Sequence, residues 1–569
     1  MKRKSLYIAA LILLFTVPGL WAGGSRQSGG TVTVDRSNFN ALGTYPLVKN
    51  KETITILTHT SGLEVDLDQF WQTISYEAKT NVHVNWYPVP SDQYKERVNL
   101  ALASAEKIDL IMGQPFGSST AFSQSELLRL ANQGLILPIG DYFDSDTVNI
   151  KKNLNSVDGY RAAVTLPNGK IYHIPELEEC LHCAYFGKMW VNKTFLKNVG
   201  ITKYPETTAE FKAMLIAFRD KDANGNGNPN DEIPLIGGGD YSSALDTYLM
   251  NAFGVYSDGE NRLYLDKKKV NAAYQQPAFR EGLKYLNDLF KERLISRDSF
   301  SSTTNRNQLN SQKYESVIGA TPFMHHWILG QREEGQPARW LDYEAIPPLK
   351  RADGKQVARY DPYLKFRLQW IGTIVPETCK NPALIVRWLD YYHTFDGAMS
   401  AIQGGKGIGW DDPDPGAIGT GGGKAVWKQL TISQGDRWYD KNTYNQLPPT
   451  FRQAVFWEGQ QSVPADTPDG SGIEAYLFQI SKKNYQPYGD ISLVVPPLWY
   501  AQEDISEMSQ LTTSIKTCVE ENIAKFIIGD LDPNKDADWN AFQTQLRNLN
   551  IVKYLQIVQK AYDASAFSK

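Results

Sequence analysis

Apolar and polar residues alternate in two different rhythms along this chain. Ile54, Ile56 and Leu57 read as a buried strand, Val82, Val84 and Trp86 alternate as a second, and Ile108, Leu110 and Ile111 make a third. Between them, Leu67 to Ala78 and Tyr94 to Ala103 carry helical spacing. A further helical face, Leu127, Leu128, Leu130 and Ala131, stops at Gly134, where a residue free to turn left-handed can end a helix. Strand and helix in alternation predict a mainly parallel sheet covered on both faces. Ligands of such sheets bind beyond the carboxyl ends of the strands. The loops His59 to Leu63 and Gly113 to Gly117 are therefore expected near a cleft.

The rest of the chain is richer in helix. Thr207 and Glu210 are spaced as a capping box for a helix whose apolar face is Phe211, Met214, Leu215 and Phe218. Near the end, Ile505, Met508, Leu511, Ile515, Cys518, Val519, Ile523 and Phe526 keep helical spacing until Gly529. The Gly- and Asp-rich stretch from Gly404 to Gly423 predicts exposed loops, and no internal repeat is found.

Of 569 residues, 42% are hydrophobic, and the mean hydropathy of -0.40 describes a globular chain with a large core. The net charge of -4 and the lack of a basic stripe give nucleic-acid binding no electrostatic support. The one interior lysine run, Lys267 to Lys269, reads as a solvated turn. Aromatic residues make up 12% of the chain, enough for both core packing and rings that stack on sugar faces.

The start of the chain predicts export. Lys2, Arg3 and Lys4 precede an apolar stretch from Leu6 to Val17, Pro18-Gly19 breaks it, and Ala22-Gly23-Gly24 offers small residues for cleavage. The expectation is a signal peptide over residues 1–22, a flexible leader over 23–48 and a periplasmic or extracellular protein. The first cysteine is Cys180, so a lipobox is missing and no lipid anchor is expected.

Cys180 and Cys183 form a C-x-x-C with His182 between them. A local disulfide is the favoured reading in an oxidising compartment, with free thiols as the alternative. Zinc is disfavoured because no second ligand pair follows at proper spacing. Cys518 is expected to be buried on its helix.

Directly after the Phe218 helix comes Asp222-Ala223-Asn224-Gly225-Asn226-Gly227-Asn228-Pro229-Asn230-Asp231-Glu232. Oxygen-bearing side chains at alternate positions let a short loop curl around one hard cation, and calcium takes about six to eight oxygens. Asp222, Asn224 and Asn226 would offer side-chain oxygens, Asn228 its carbonyl, and Asp231 with Glu232 the closing carboxylates. The twelfth position holds no Glu, so this is not an EF-hand, and an Asn-Gly turn without metal is the competing reading. The bound ion would be structural. Asp530, Asp532, Asn534, Asp536 and Asp538 also alternate but lack a Gly, and read as a polar link between helices.

With these residues in view, the chain resembles the family 1 extracellular solute-binding proteins of ABC importers, in the calcium-loop subgroup of alginate- and oligosaccharide-binding proteins. Pro167 to Pro175, followed by Met189-Trp190-Val191-Asn192-Lys193, resembles the subgroup's "DGKIYGLP … MWINK" signature. Asp222 to Pro234 resembles "DPNGNGKKDEIP", with one extra residue before Asp231. Gly404 to Trp410 resembles "GxEGxxW", with Lys406 where the subgroup has Glu, and Ile523 to Asp563 resembles its terminal helices.

The resemblance implies an α/β, two-lobed periplasmic-binding-protein fold of type II, with hinge crossovers and a ligand cleft between the lobes. The lobes are expected at 49–165 plus about 360–405, and at 166–359 plus about 406–569. It also implies an oligosaccharide ligand, ABC permease partners with a cytoplasmic ATPase, a monomer and no catalysis. By position, Trp410 resembles a stacking platform and Trp327 a second, with core packing as the competing role for each. Tyr185, Gln114 and His59 are further cleft candidates, while Trp71 and Trp190 sit in apolar runs and are expected in the core. The rival function is a secreted glycoside hydrolase or polysaccharide lyase, which needs two carboxylates about 5 to 10 Å apart. The 63 acidic residues leave room for such a pair, but no motif marks one. A peptide- or lipid-binding protein of the same fold is a third reading.

Overall fold

The computed structural model describes residues 34–60, 66–114, 119–238, 243–258, 260–300, 316–323, 339–368, 370–430, 442–444, 446–465, 467 and 472–568. Two four-stranded sheets organise them. Their strands are β1 (Glu52–Thr60), β2 (Val82–Pro90), β3 (Leu110–Met112), β4 (Lys188–Asn192), β5 (Ile233–Leu235), β6 (Ile318–Phe323), β7 (Tyr343–Ile346) and β8 (Thr373–Ile374).

The first sheet has the order β8-β3-β1-β2. β1 runs parallel to β2, pairing Glu52 with Val82, and parallel to β3, while β8 returns antiparallel with Thr373 opposite Met112. Ile56, Leu57 and Thr58 are fully buried in succession. A strand with both faces covered has no solvent side to alternate with, which is why its apolar residues run together. The third strand starts later than expected, at Leu110, although Ile108 is also buried. The helix expected from Leu67 opens with a short turn and becomes regular at Trp71–Thr80.

The second sheet has the order β7-β4-β6-β5. β4 is antiparallel to both neighbours, with Lys188 opposite Phe323 and Asn192 opposite Tyr343, and β5 runs parallel to β6. The helix Thr208–Asp220 packs on it with Phe211, Met214, Leu215 and Phe218 buried. Its start is the expected capping box: Glu210 N donates to Thr207 Oγ1 at 3.2 Å and Thr207 N donates to the Glu210 carboxylate at 3.1 Å. Emptying the Phe218 site by Phe218→Ala would cost about 3–5 kcal/mol. The C-terminal helices Ile505–Ile528 and Ile551–Ala564 join this core, and Gly529, at φ +95°, ends the first of them.

Trp410, Trp427, Tyr444, Leu447, Phe451 and Phe456 pack with Ile54, Val82 and Trp388 in the core beside the first sheet, although sequence placed residues beyond about 406 in the second lobe. The stretch from Gly404 to Gly423 is not simply exposed either. A side chain at Gly405 would come within 2.6 Å of the Trp71 ring, and one at Gly419 within 2.4 Å of the Glu458 carbonyl, so glycine here serves close packing. Cys518 is half-buried and not enclosed as expected, because its helix turns it towards Gln545 and Asn522.

Candidate functional site

The carboxyl ends of β1 and β3, and the end of β6 at Phe323, are the edges where the strand order directs a ligand. The chain crosses between the two cores near these edges. On one crossing, His173 bridges to Ile374, Leu177–Glu178 pairs in parallel with Phe451–Arg452, and the chain then enters β4. On the return, Asp361 N donates to the Ala184 carbonyl at 2.8 Å and Gly113 N donates to the Gly372 carbonyl at 2.7 Å.

Four buried charges hold these crossings together. Arg452 meets Glu178 at 2.9 Å and Glu176 at 3.2 Å, and Arg367 contacts Glu178. Burial pushes the Glu176 carboxyl above its usual range and brings the Arg367 guanidinium down to about 9. Beside them Cys180 and Cys183 form a disulfide, so the local pairing expected from C-x-x-C is present and its sulfurs are not a thiolate pair for zinc. His182 faces Glu474 at 2.8 Å, and buried Lys188 donates to the His182 and Tyr185 carbonyls at 2.7 and 2.5 Å. Burial lowers the Lys188 ammonium to about 7.

Over the return crossing lies a cavity lined by Phe186, Tyr256, Arg359, Tyr360, Asp361 and Trp370, among others. Trp370 also lines a second cavity with His173, Glu176 and Arg367, and its half-buried ring lies 6.0 Å from the Arg367 guanidinium. Rings beside paired charges supply what a polyhydroxylated ligand needs: apolar faces for its C–H surfaces and fixed donors and acceptors for its hydroxyls. Burial raises the Asp361 carboxyl to about 6 and drops His173 to about 3, so that imidazole is neutral. Neither Trp370 nor Arg359 was singled out from sequence. Both lie on a crossing that only tertiary structure defines.

The sequence candidates distribute unevenly. His59 ends β1 at 9% exposure; its Nδ1 is 3.0 Å from Ser91 Oγ, and burial lowers its pKa to about 4. Gln114 follows β3 half-buried, its carbonyl accepting from Thr120 Oγ1 at 3.2 Å. Tyr185 is 3% exposed and stacked on Tyr360 at 4.9 Å, so it backs a cavity ring and does not itself face the cavity. Trp410 is 7% exposed, its Nε1 donating to the Gly404 carbonyl at 3.0 Å and its edge against Phe395. A ring so enclosed packs in the core, which corrects its reading as a platform. Trp190 is fully buried as expected, whereas Trp71 is only half-buried, lying over Gly405. Trp327 lies outside the described residues.

The acidic loop folds on itself. Asp222 accepts from Gly225 N, Asn226 N and Gly227 N at 2.9, 3.0 and 2.8 Å, made possible by left-handed Gly225 and Gly227 at φ +76° and +89°. Asn224 and Asn226 reach Asp231 at 3.2 and 2.7 Å, and Asn228 N donates to Asn226 Oδ1 at 2.8 Å. Glu232 Oε1 accepts from Ala223 N at 2.7 Å, while its buried Oε2 has no hydrogen-bond partner among the described residues. An all-oxygen donor set with one orphaned carboxylate oxygen fits a hard cation.

The signature of the bacterial extracellular solute-binding protein family matches residues 58–394. The fructooligosaccharide ABC transporter substrate-binding protein FusA of Streptococcus pneumoniae is 25% identical over 582 aligned positions, covering 99% of each chain. A structure of FusA with kestose superposes with a TM-score of 0.73 at 22% identity, covering 90% of this chain and 99% of that one. The alginate-binding protein AlgQ2, solved without calcium ion, superposes with a TM-score of 0.64 at 21% identity, covering 92% of this chain and all of that one, 100%.

Proposed function

This chain belongs to the bacterial extracellular solute-binding proteins, and from that premise we propose that it captures an oligosaccharide between its two cores and delivers it unchanged to an ABC permease. The observation that carries the reading is the ring-lined cavity at the crossings, where Phe186, Tyr360 and Trp370 stand beside Arg359 and Asp361. Stacking on Trp370 would orient the sugar, and the charged groups would take its hydroxyls. A ligand that touches both sides favours the closed arrangement by the difference in its affinity for the two states.

In this reading the protein works outside the cytoplasmic membrane after cleavage of its signal peptide, as a monomer without lipid anchor. The loop from Asp222 to Glu232 holds one calcium ion, with Asp222, Asn224, Asn226, Asn228, Asp231 and Glu232 as its ligands. The orphaned Glu232 oxygen supports this. The ion would fix the loop that follows the helix Thr208–Asp220, and no bond is made or broken there.

The test is calorimetric titration of the purified protein with a panel of oligosaccharides, followed by product analysis and small-angle scattering. Binding with compaction and unaltered sugar is the expected result. Cleavage of a glycosidic bond, or no binding to any oligosaccharide, would refute the proposal.

A further inference from the structure

We infer that this cleft selects uncharged or amino-bearing oligosaccharides and rejects uronate-bearing ones, a refinement that rests on the oligosaccharide reading above. Among the described residues, the second cavity at the crossings sets Glu176 against Arg367, whose charge Glu178 takes up, and the first carries three carboxylates, Asp258, Glu260 and Asp361, against one guanidinium, Arg359. The larger groove that continues from it repeats those three carboxylates and adds no lysine or arginine among its described lining residues.

Arg359 is already engaged as well. It is 6% exposed, lies 5.1 Å over the Phe186 ring, and interacts electrostatically with both Asp258 and Asp361. Recognition of a sugar carboxylate needs a guanidinium or ammonium whose charge is not taken up by the protein's own acids. A uronate entering here would instead meet like charge in a partly desolvated space. Sugar hydroxyls and ammonium groups are donors, and a carboxylate accepts from them in strong, charge-assisted hydrogen bonds. The solved structures it resembles include FusA in complex with kestose, a neutral sugar, and an alginate-binding protein, so the fold itself leaves this choice open.

Glu260 is the residue to change. Asp258 Oδ1 accepts from Glu260 N and Arg262 N at 3.0 and 2.6 Å, and Asp361 Oδ1 accepts from Tyr363 N and Leu364 N, both at 3.0 Å, so either substitution would loosen a turn. Glu260 is exposed, and Glu260→Lys reverses a charge at the cavity without emptying the core.

The experiment measures dissociation constants for neutral, amino-sugar and uronate oligomers of matched length, on the parent and on Glu260→Lys. The inference expects a neutral or amino oligomer to bind at least about tenfold tighter than any uronate, and Glu260→Lys to narrow that ratio by at least about threefold at low salt. A uronate that binds the parent more tightly than every neutral and amino oligomer overturns the inference while leaving oligosaccharide capture intact. A ratio that Glu260→Lys does not move overturns it as well. If no oligomer of any class binds, the oligosaccharide reading itself falls, and the charge preference with it.

Discussion

Arg452 and Glu178 meet at 2.9 Å in a place where both are almost wholly enclosed, on neighbouring two-residue strands that carry the chain between its cores. Glu176 shares the same guanidinium at 3.2 Å. Glu178 also contacts Arg367, but Glu176 has no second ion-pair partner among the described residues, and leaving such a buried charge unpaired costs about 3–5 kcal/mol. Arg452→Met should therefore destabilise the protein by about that amount in urea denaturation. Adding Glu176→Gln to Arg452→Met should recover part of the loss, because Glu178 keeps its contact with Arg367 and the carboxylate left without an ion-pair partner is then gone. Equal midpoints for the parent and Arg452→Met would show that the pair is not needed.

Two tryptophans separate binding from packing. Trp370 is half-buried and lines both cavities at the crossings, whereas Trp410 lies in the core against Phe395. Trp370→Ala should weaken oligosaccharide affinity by about 2 kcal/mol or more, roughly thirtyfold, with little change in melting temperature. Trp410→Ala should instead lower stability by about 3–5 kcal/mol. Calorimetry and thermal melts on the two variants check both halves. The reverse pattern would move the site away from the crossings.

Local rules were enough to read much of this fold. Ile54, Ile56 and Leu57 announce β1 because both of its faces are covered, and Thr207 with Glu210 announces a helix start because two backbone donors need partners there. The site follows no such rule. Trp370, Arg359 and Asp361 come together with Phe186 because two crossings, nearly two hundred positions apart in places, run side by side, and no spacing encodes that. Trp410 shows the converse. Its motif suggested a platform, but whether an indole stacks on ligand or on Phe395 depends on what covers it.

Acidity should weaken the fold through its buried histidines. Burial lowers His59 to about 4 and both His173 and His393 to about 3, below the ordinary value of about 6.5. Between those values the unfolded chain binds more protons, so stability rises with pH, is fully present above about 6.5 and is lost as pH falls towards 3. Asp361 acts in the opposite direction: raised to about 6, its contribution is present below about 4 and is lost as pH rises through 6. Glu176 and Asp258, also raised by burial, act with Asp361, while carboxylates held low by their partners, such as Asp146 and Glu126, act with the three histidines. The melting temperature should therefore fall on acidification from pH 6.5 to 4. Asp361→Asn should steepen that fall, because one opposing group is removed. Melts in a pH series decide it, and a flat profile would mean the imidazoles are not buried neutral.

The loop from Asp222 to Glu232 offers the cleanest test of a metal. Its amides from Gly225, Asn226 and Gly227 already converge on Asp222, so the loop has a shape without an ion, yet Glu232 Oε2 is buried with no partner among the described residues. An ion that binds only the folded protein stabilises it by about 2.7 kcal/mol when free calcium is a hundred times the dissociation constant. Chelator should therefore lower the melting temperature of the parent, and added calcium should restore it. Asp222→Ala removes both a ligand and the acceptor of three amides, so it should melt lower than the parent and no longer respond to chelator. That second effect distinguishes a metal site from a merely structural turn, since a turn would lose stability on substitution but show no chelator response in the parent. Magnesium at equal concentration should restore less than calcium, because its smaller shell demands a stricter octahedron than this glycine-hinged loop can supply.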